Sequence, residues 1–166
     1  NSGNADLFND SEGVLYAEVK RFDNDTEFLT IGFTDGTNDN QVSFKFRNST
    51  NVIWGNVVSG GVNQVQMQYT ASDLTTFNKM AVKYKANDFA FWFNGVQVST
   101  DTSGAVPTGL KELAFDNGTG GAKFVGNTKA LAVFKEALSN DLLERLTGEG
   151  FESFRLLAEA NNYTII

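Results

Sequence analysis

The segment FVGNTKALAVFKEALSNDLLERLTG, residues 124–148, changes its hydrophobic period partway along. From Phe124 to Phe134 apolar and polar residues roughly alternate, which is typical of a half-buried strand. After Ser139 the leucines fall at helical spacing, Ser139 can cap the start of a helix, and Gly148 can end it. The segment therefore predicts a strand that is followed directly by a short helix.

The rest of the chain predicts further strands, because short β-rich runs recur at intervals of about ten residues with turn signals between them. The clearest run is QVSFKFR, residues 41–47, in which apolar and polar side chains alternate without a break. Asn94-Gly95, between FAFWF and VQVST, is a strong hairpin signal. These observations indicate an all-β fold, an antiparallel sandwich or barrel, with one or two short helices at the C-terminal end.

Composition excludes several functional classes. The chain has 166 residues, enough for one domain with a substantial core, and a net charge of −7, which opposes binding to nucleic acid. It has no histidine and no cysteine, which excludes imidazole-assisted serine or cysteine catalysis and cysteine zinc sites. No apolar run approaches the roughly 20 residues of a membrane-spanning helix, so we expect no membrane insertion. Because the sequence begins NSGNADLF, we interpret it as a domain of a longer or processed polypeptide.

The order FNKMAVKYK, FAFWFNGVQV, GLKELAF and GNTKALAVFKEALSNDLLERL resembles the concanavalin A-like jelly rolls of the laminin G and lectin/glucanase superfamily. This resemblance spans residues 11–147 and implies two curved antiparallel sheets, with a helix that caps one open end of the sandwich. It divides a single domain, residues 1–166, into a sandwich at 11–138 and a helical cap and tail at 139–166. The tail, FESFRLLAEANNYTII, is similar to the ends of phage tail-fibre proteins. That likeness implies an extracellular or virion-surface location and allows a homo-oligomer within a parent fibre.

Glycan binding is the usual activity of this superfamily, and it needs exposed aromatic rings flanked by polar side chains. In FAFWF three phenylalanines share one face, so we expect Trp92 to point outward into solvent. Trp54, among asparagines, is a second candidate. The other candidates supply hydrogen bonds: Gln64, Gln66, Gln68 and Lys83. The alternative is that both tryptophans are packed in the core or at a sheet edge.

Calcium is the expected cofactor, since the resemblance implies calcium at loops that join the sheets. The candidate donors are aspartates of three turns: Asp23, Asp25, Asp35, Asp39 and Asp116. None of these turns is an EF-hand, and ordinary turn chemistry explains the same residues.

Two functions remain open at this stage. One is a non-catalytic carbohydrate-recognition module that binds a polysaccharide or cell-surface glycan, within a phage fibre or a larger carbohydrate-active protein. The other is an architectural or protein-docking domain. Catalysis is disfavoured, because no glutamate is followed by aspartate two positions later, as the glucanase motif Glu-x-Asp requires.

Overall fold

The computed structural model describes residues 3–23, 28–47 and 51–148. Within them ten strands form two antiparallel sheets, and one short helix follows the last strand. The strands are β1 (Glu12–Arg21), β2 (Leu29–Thr34), β3 (Gln41–Phe46), β4 (Val52–Ser59), β5 (Val62–Thr70), β6 (Asn78–Lys85), β7 (Phe89–Phe93), β8 (Val96–Asp101), β9 (Glu112–Ala114) and β10 (Gly126–Phe134). A 3-10 turn at Ala5–Leu7 precedes them, and the helix α1 covers Asn140–Thr147.

The first sheet has the strand order β10-β1-β6-β7-β8, and the second sheet has the order β5-β4-β3-β2-β9. The predicted two-sheet antiparallel jelly-roll sandwich is therefore confirmed. Strands that are distant in sequence, such as β1 and β10, are hydrogen-bonded neighbours, so each sheet depends on pairing between distant parts of the chain.

The main core lies between the two sheets and is formed by the inward side chains of both. In β3 these are Val42, Phe44 and Phe46, as the alternation predicts, and Phe44 packs against Phe91 of the opposite sheet at 6.1 Å between ring centroids. Gly55 lies opposite the same region. A Cβ there would lie 2.8 Å from Val82 Cγ2, so only glycine allows the sheets to approach this closely.

The Asn94-Gly95 hairpin is confirmed as the link between β7 and β8. Both residues have positive φ, 47° and 82°, which the two-residue turn requires and which asparagine and glycine tolerate best. The Asn94 Oδ1 also accepts the backbone N–H of Lys79 at 2.9 Å, so the turn is tied to the start of β6.

The helix begins after Ser139, whose side chain accepts a hydrogen bond from the backbone N–H of Leu142. The predicted change from strand to helix is therefore confirmed, and so is the core position of its leucines. The helix does not cap an open end, however. It lies on the outer face of the first sheet and closes a second core there, formed by Val14, Tyr16, Ala81, Ala90, Trp92, Phe134, Leu138, Leu143 and Leu146.

This second core corrects the expectation for Trp92. The predicted alternation of side chains along β7 is confirmed, since Phe89, Phe91 and Phe93 point into the main core and Trp92 points the other way. The prediction that Trp92 faces solvent is wrong, because the helix covers the outer face and leaves the residue 5 % exposed.

The predicted second helix falls in the tail beyond Gly148, outside the described residues. No helix in the described part of the chain is long and apolar enough to cross a membrane.

Candidate functional site

The predicted carbohydrate-binding residues do not form one group, because they are divided between the two sheets. Lys83 belongs to β6 of the first sheet, where it is 8 % exposed and its Nζ lies 2.6 Å from the Asp88 carboxylate. The expectation that Lys83 lies beside Gln64, Gln66 and Gln68, which we call the glutamine stripe, is therefore wrong. Lys83 and the buried Trp92 both leave the candidate site.

The other predicted residues share the outer face of the second sheet. Trp54 on β4 pairs in register with Gln68 on β5, and its indole Nε1–H donates to the Gln68 Oε1 at 3.1 Å. Gln66 and Gln68 are exposed, as the alternation of β5 predicts. Gln64 has a structural contact, since its Oε1 accepts the backbone N–H of Ala105 at 3.1 Å. The structure thus brings Trp54 and the glutamine stripe together.

Two cations that we did not predict complete this surface. Lys45 on β3 is the register partner of Trp54 on the other side. Arg47 follows two residues later, and its guanidinium carbon lies 3.6 Å from the centroid of the Trp54 ring and 4.1 Å from that of Phe28. We call the group Phe28, Lys45, Arg47, Trp54 and Gln68 the cationic cluster.

The cationic cluster holds two neighbouring positive charges, those of Lys45 and Arg47. In the part of the chain that the structure describes, the ion pairs formed by lysine or arginine with a carboxylate include neither Lys45 nor Arg47. Burial lowers the pKa of Lys45, and the neighbouring charge of Arg47 lowers it further. Two like charges held side by side are unfavourable unless an anion joins them. The cluster is therefore suited to an anionic ligand.

One buried hydrogen-bond donor lies on the same strand as Trp54. Asn56 is buried two residues after Trp54 on β4, and its Nδ2 has no hydrogen-bond partner among the described residues. An unpaired buried donor costs about 1–3 kcal/mol, so its presence needs an explanation.

The other half of this face is covered by the loop between β9 and β10. The backbone N–H of Thr30 donates to the Ala122 carbonyl at 2.8 Å, and the Asn38 Nδ2 lies 3.5 Å from the Thr119 Oγ1. A Cβ on Gly118 would lie 2.6 Å from the Thr34 Oγ1, which shows how closely this loop packs. Ligand access is therefore best on the side of β4 and β5.

Two of the predicted calcium donors, Asp35 and Asp116, accept hydrogen bonds within their own turns. The Asp35 carboxylate accepts hydrogen bonds from the backbone N–H and the hydroxyl of Thr37, at 2.8 and 2.6 Å, and the Asp116 carboxylate accepts the N–H of Gly118. Asp39 and Asp23 belong to separate loops, and Asp25 lies outside the described residues. Across the described ranges no three acidic side chains form a group that could hold a metal. Calcium binding stays a prediction.

No family model and no curated protein matches this chain in sequence. Solved structures do share its fold. The CBM40 module of the Ruminococcus gnavus IT-sialidase, bound to α2,3 sialyllactose, has a TM-score of 0.67 at 19% identity over 87% of this chain and 86% of that chain. The heptameric SAP-like pentraxin from Limulus polyphemus has a TM-score of 0.62 at 13% identity, over 83% of this chain and 74% of the pentraxin.

A much larger protein contains the same fold. The leech intramolecular trans-sialidase, complexed with 2,7-anhydro-Neu5Ac, has a TM-score of 0.68 at 20% identity over 85% of this chain. The chain spans only 24% of that enzyme's length. The chain thus has the lectin-like β-sandwich fold that is found in CBM40 carbohydrate-binding modules and in a pentraxin.

Proposed function

We propose that this chain is a non-catalytic carbohydrate-binding module and that it binds glycans containing an acidic sugar at the cationic cluster. The observation that carries the proposal is the pair Lys45 and Arg47, two cations without carboxylate partners in the described chain that flank an indole on an outer sheet face. An aromatic ring, amides and cations together match a sugar that also bears a carboxylate or sulfate.

The structural neighbours supply the first ligand to test. The R. gnavus CBM40 module is described in complexes with α2,3 and α2,6 sialyllactose, and sialyllactose is an acidic glycan. The likeness supports a sialylated glycan as the candidate ligand of this chain, and the two cations without carboxylate partners in the described chain support it independently.

The composition of the cluster favours binding over catalysis. Glycoside hydrolysis uses a pair of carboxyl groups placed on either side of the scissile bond. The five side chains of the cluster include no carboxyl group. Their chemistry is sufficient to hold an acidic sugar and offers no acid or base of that kind.

We also propose that the module belongs to a larger protein, a phage fibre or a carbohydrate-active protein, that acts outside the cell or on a virion surface. The architectural alternative expects buried aromatic residues, and the burial of Trp92 agrees with it. The two cations favour glycan binding, because an architectural role gives no reason for Lys45 and Arg47 to lack a carboxylate partner among the described residues. Size-exclusion chromatography with light scattering tests whether the chain forms the homo-oligomer expected of a fibre.

The test of function is titration calorimetry with α2,3 sialyllactose and with neutral lactose. We expect the wild-type protein to bind sialyllactose and Arg47→Ala to lose roughly ten- to hundredfold in affinity, which is the usual worth of a hydrogen bond to a charged group. Lys85→Ala is the matched control, because Lys85 is an exposed lysine paired with Glu12 on the first sheet. Equal affinity of the wild type for lactose and sialyllactose would exclude acidic recognition.

A further inference from the structure

The Arg47 guanidinium contacts two aromatic rings. Its guanidinium carbon lies 3.6 Å from the Trp54 ring centroid, which is van der Waals contact, so the planar group lies flat on the indole. Phe28, 43 % exposed, approaches the same carbon at 4.1 Å. Both distances are well within the roughly 6 Å range of cation–π contacts.

The indole itself is fixed by a hydrogen bond. Trp54 donates its Nε1–H to the Gln68 Oε1, and the two residues are register partners on adjacent strands. A ring that is fixed to a sheet gives the guanidinium a rigid surface, which a flexible surface arginine lacks. The stack therefore removes rotational freedom from Arg47 before any ligand arrives.

This arrangement changes the role that the sequence suggests for Trp54. A sugar-binding tryptophan presents an open ring face to a pyranose. Here Arg47 lies over the ring. The guanidinium carbon contacts both rings, whereas the guanidinium N–H edge has no carboxylate partner in the described chain. A guanidinium edge binds a carboxylate through two parallel hydrogen bonds.

We propose that Trp54 and Phe28 are positioning residues that hold Arg47 as a clamp for the acidic group of the glycan. The inference rests on the proposed function, since it names how that site reads its ligand. The clamp contacts the oxyanion, whether carboxylate or sulfate, and the indole acts through Arg47 instead of stacking on the sugar.

The test compares affinities for α2,3 sialyllactose among variants of the full chain. Arg47→Lys keeps the charge but not the planar fork, so we expect it to bind nearly as weakly as Arg47→Ala. Trp54→Ala should weaken binding by about two- to tenfold, the usual effect of having to order one flexible side chain. Trp54→Phe should restore most of that loss, because it returns a ring under the guanidinium.

Two further measurements separate positioning from a merely structural role. The Arg47 Nε–Hε signal in NMR should show the shielding of a proton over an aromatic ring, and Trp54→Ala should abolish it while Trp54→Phe retains it. Phe28→Ala should weaken binding, because Phe28 is the second positioning residue, and Phe77→Ala is its control. Phe77 is 37 % exposed and contacts Lys20 and Lys129 beside the first sheet, so its loss should leave binding unchanged.

The outcomes distinguish the two proposals. An unshielded Arg47 signal in the wild type, or full affinity in Trp54→Ala, overturns the clamp even where sialyllactose binds. Trp54→Ala that loses lactose binding as strongly as sialyllactose binding shows that the indole is a sugar platform and also overturns it. If the wild type binds no acidic or sulfated glycan, the proposed function fails, and the clamp loses its ligand with it.

Discussion

Replacement of Trp92 by alanine is the sharpest test of the three-layer packing of helix, first sheet and second sheet. Trp92 is 5 % exposed and lies among the helix leucines and the outer residues of the first sheet. Removal of a core tryptophan to alanine costs about 3–5 kcal/mol. In a domain of this size each kcal/mol lowers the melting temperature by about 2–4 °C, so the expected fall is about 6–20 °C.

Trp92→Phe refines the test. The Trp92 Nε1–H is buried without a hydrogen-bond partner in the described chain, and phenylalanine removes that unpaired donor while it keeps most of the ring. We therefore expect Trp92→Phe to cost much less than Trp92→Ala. Trp54→Ala should also cost less, because Trp54 lies on an outer surface and is only partly buried.

The assay is urea denaturation followed by far-UV circular dichroism, which does not depend on the tryptophans. The chain has only two tryptophans, so each variant also reports the environment of the other by fluorescence. Acrylamide should quench Trp54 in Trp92→Phe more strongly than it quenches Trp92 in Trp54→Phe. A Trp92→Ala protein with the urea midpoint of the wild type would refute the burial of this residue under the helix.

Three further predictions concern the helix, pH and calcium. Leu143→Ala should destabilise the fold by about 2–5 kcal/mol in thermal melts, whereas the exposed Glu144→Ala should not, because only Leu143 enters the second core. Burial raises the pKa of Tyr16 and Tyr84, so the folded state retains protons that the unfolded chain releases above about pH 10. The free energy of unfolding in urea should therefore fall as pH rises beyond that value, and a smaller fall is expected in Tyr16→Phe. If the acidic loops hold calcium, the melting temperature should be higher in calcium than in chelator, and equal values would count against a site.

Features with local causes could be predicted from the sequence. The helix start at Ser139 depends on one capping side chain and a change of period, both visible in a few residues. The Asn94-Gly95 turn depends on two residues that tolerate positive φ. The inward and outward faces of β3 follow from strict alternation.

Features that depend on contacts between distant residues could not be predicted from the sequence. The alternation of side chains predicts that Trp92 lies on the outer face of the sheet. That face is covered by a helix about fifty residues further along the chain. The cationic cluster depends on the register between β3 and β4, which places Lys45 beside Trp54. The alternation in QVSFKFR predicts that Lys45 and Arg47 point outward. Pairing β3 with its neighbour β4 in a hairpin also places Lys45 beside Trp54, and this pairing is the signal for the cluster.

The attachment of the helix to the Asn94-Gly95 turn has a mechanical consequence. The Gly95 N–H donates to the Thr147 Oγ1 at 3.1 Å, and the Lys79 Nζ donates to the Gly148 carbonyl at 2.9 Å. A pulling force that enters beyond Gly148 therefore reaches β6 and β7, which lie inside the first sheet with a neighbouring strand on each side. While these two hydrogen bonds hold, tension acts on β6 and β7 as well as on the edge strand β10, which the helix follows in the chain. The cationic cluster lies on the opposite sheet, away from this attachment.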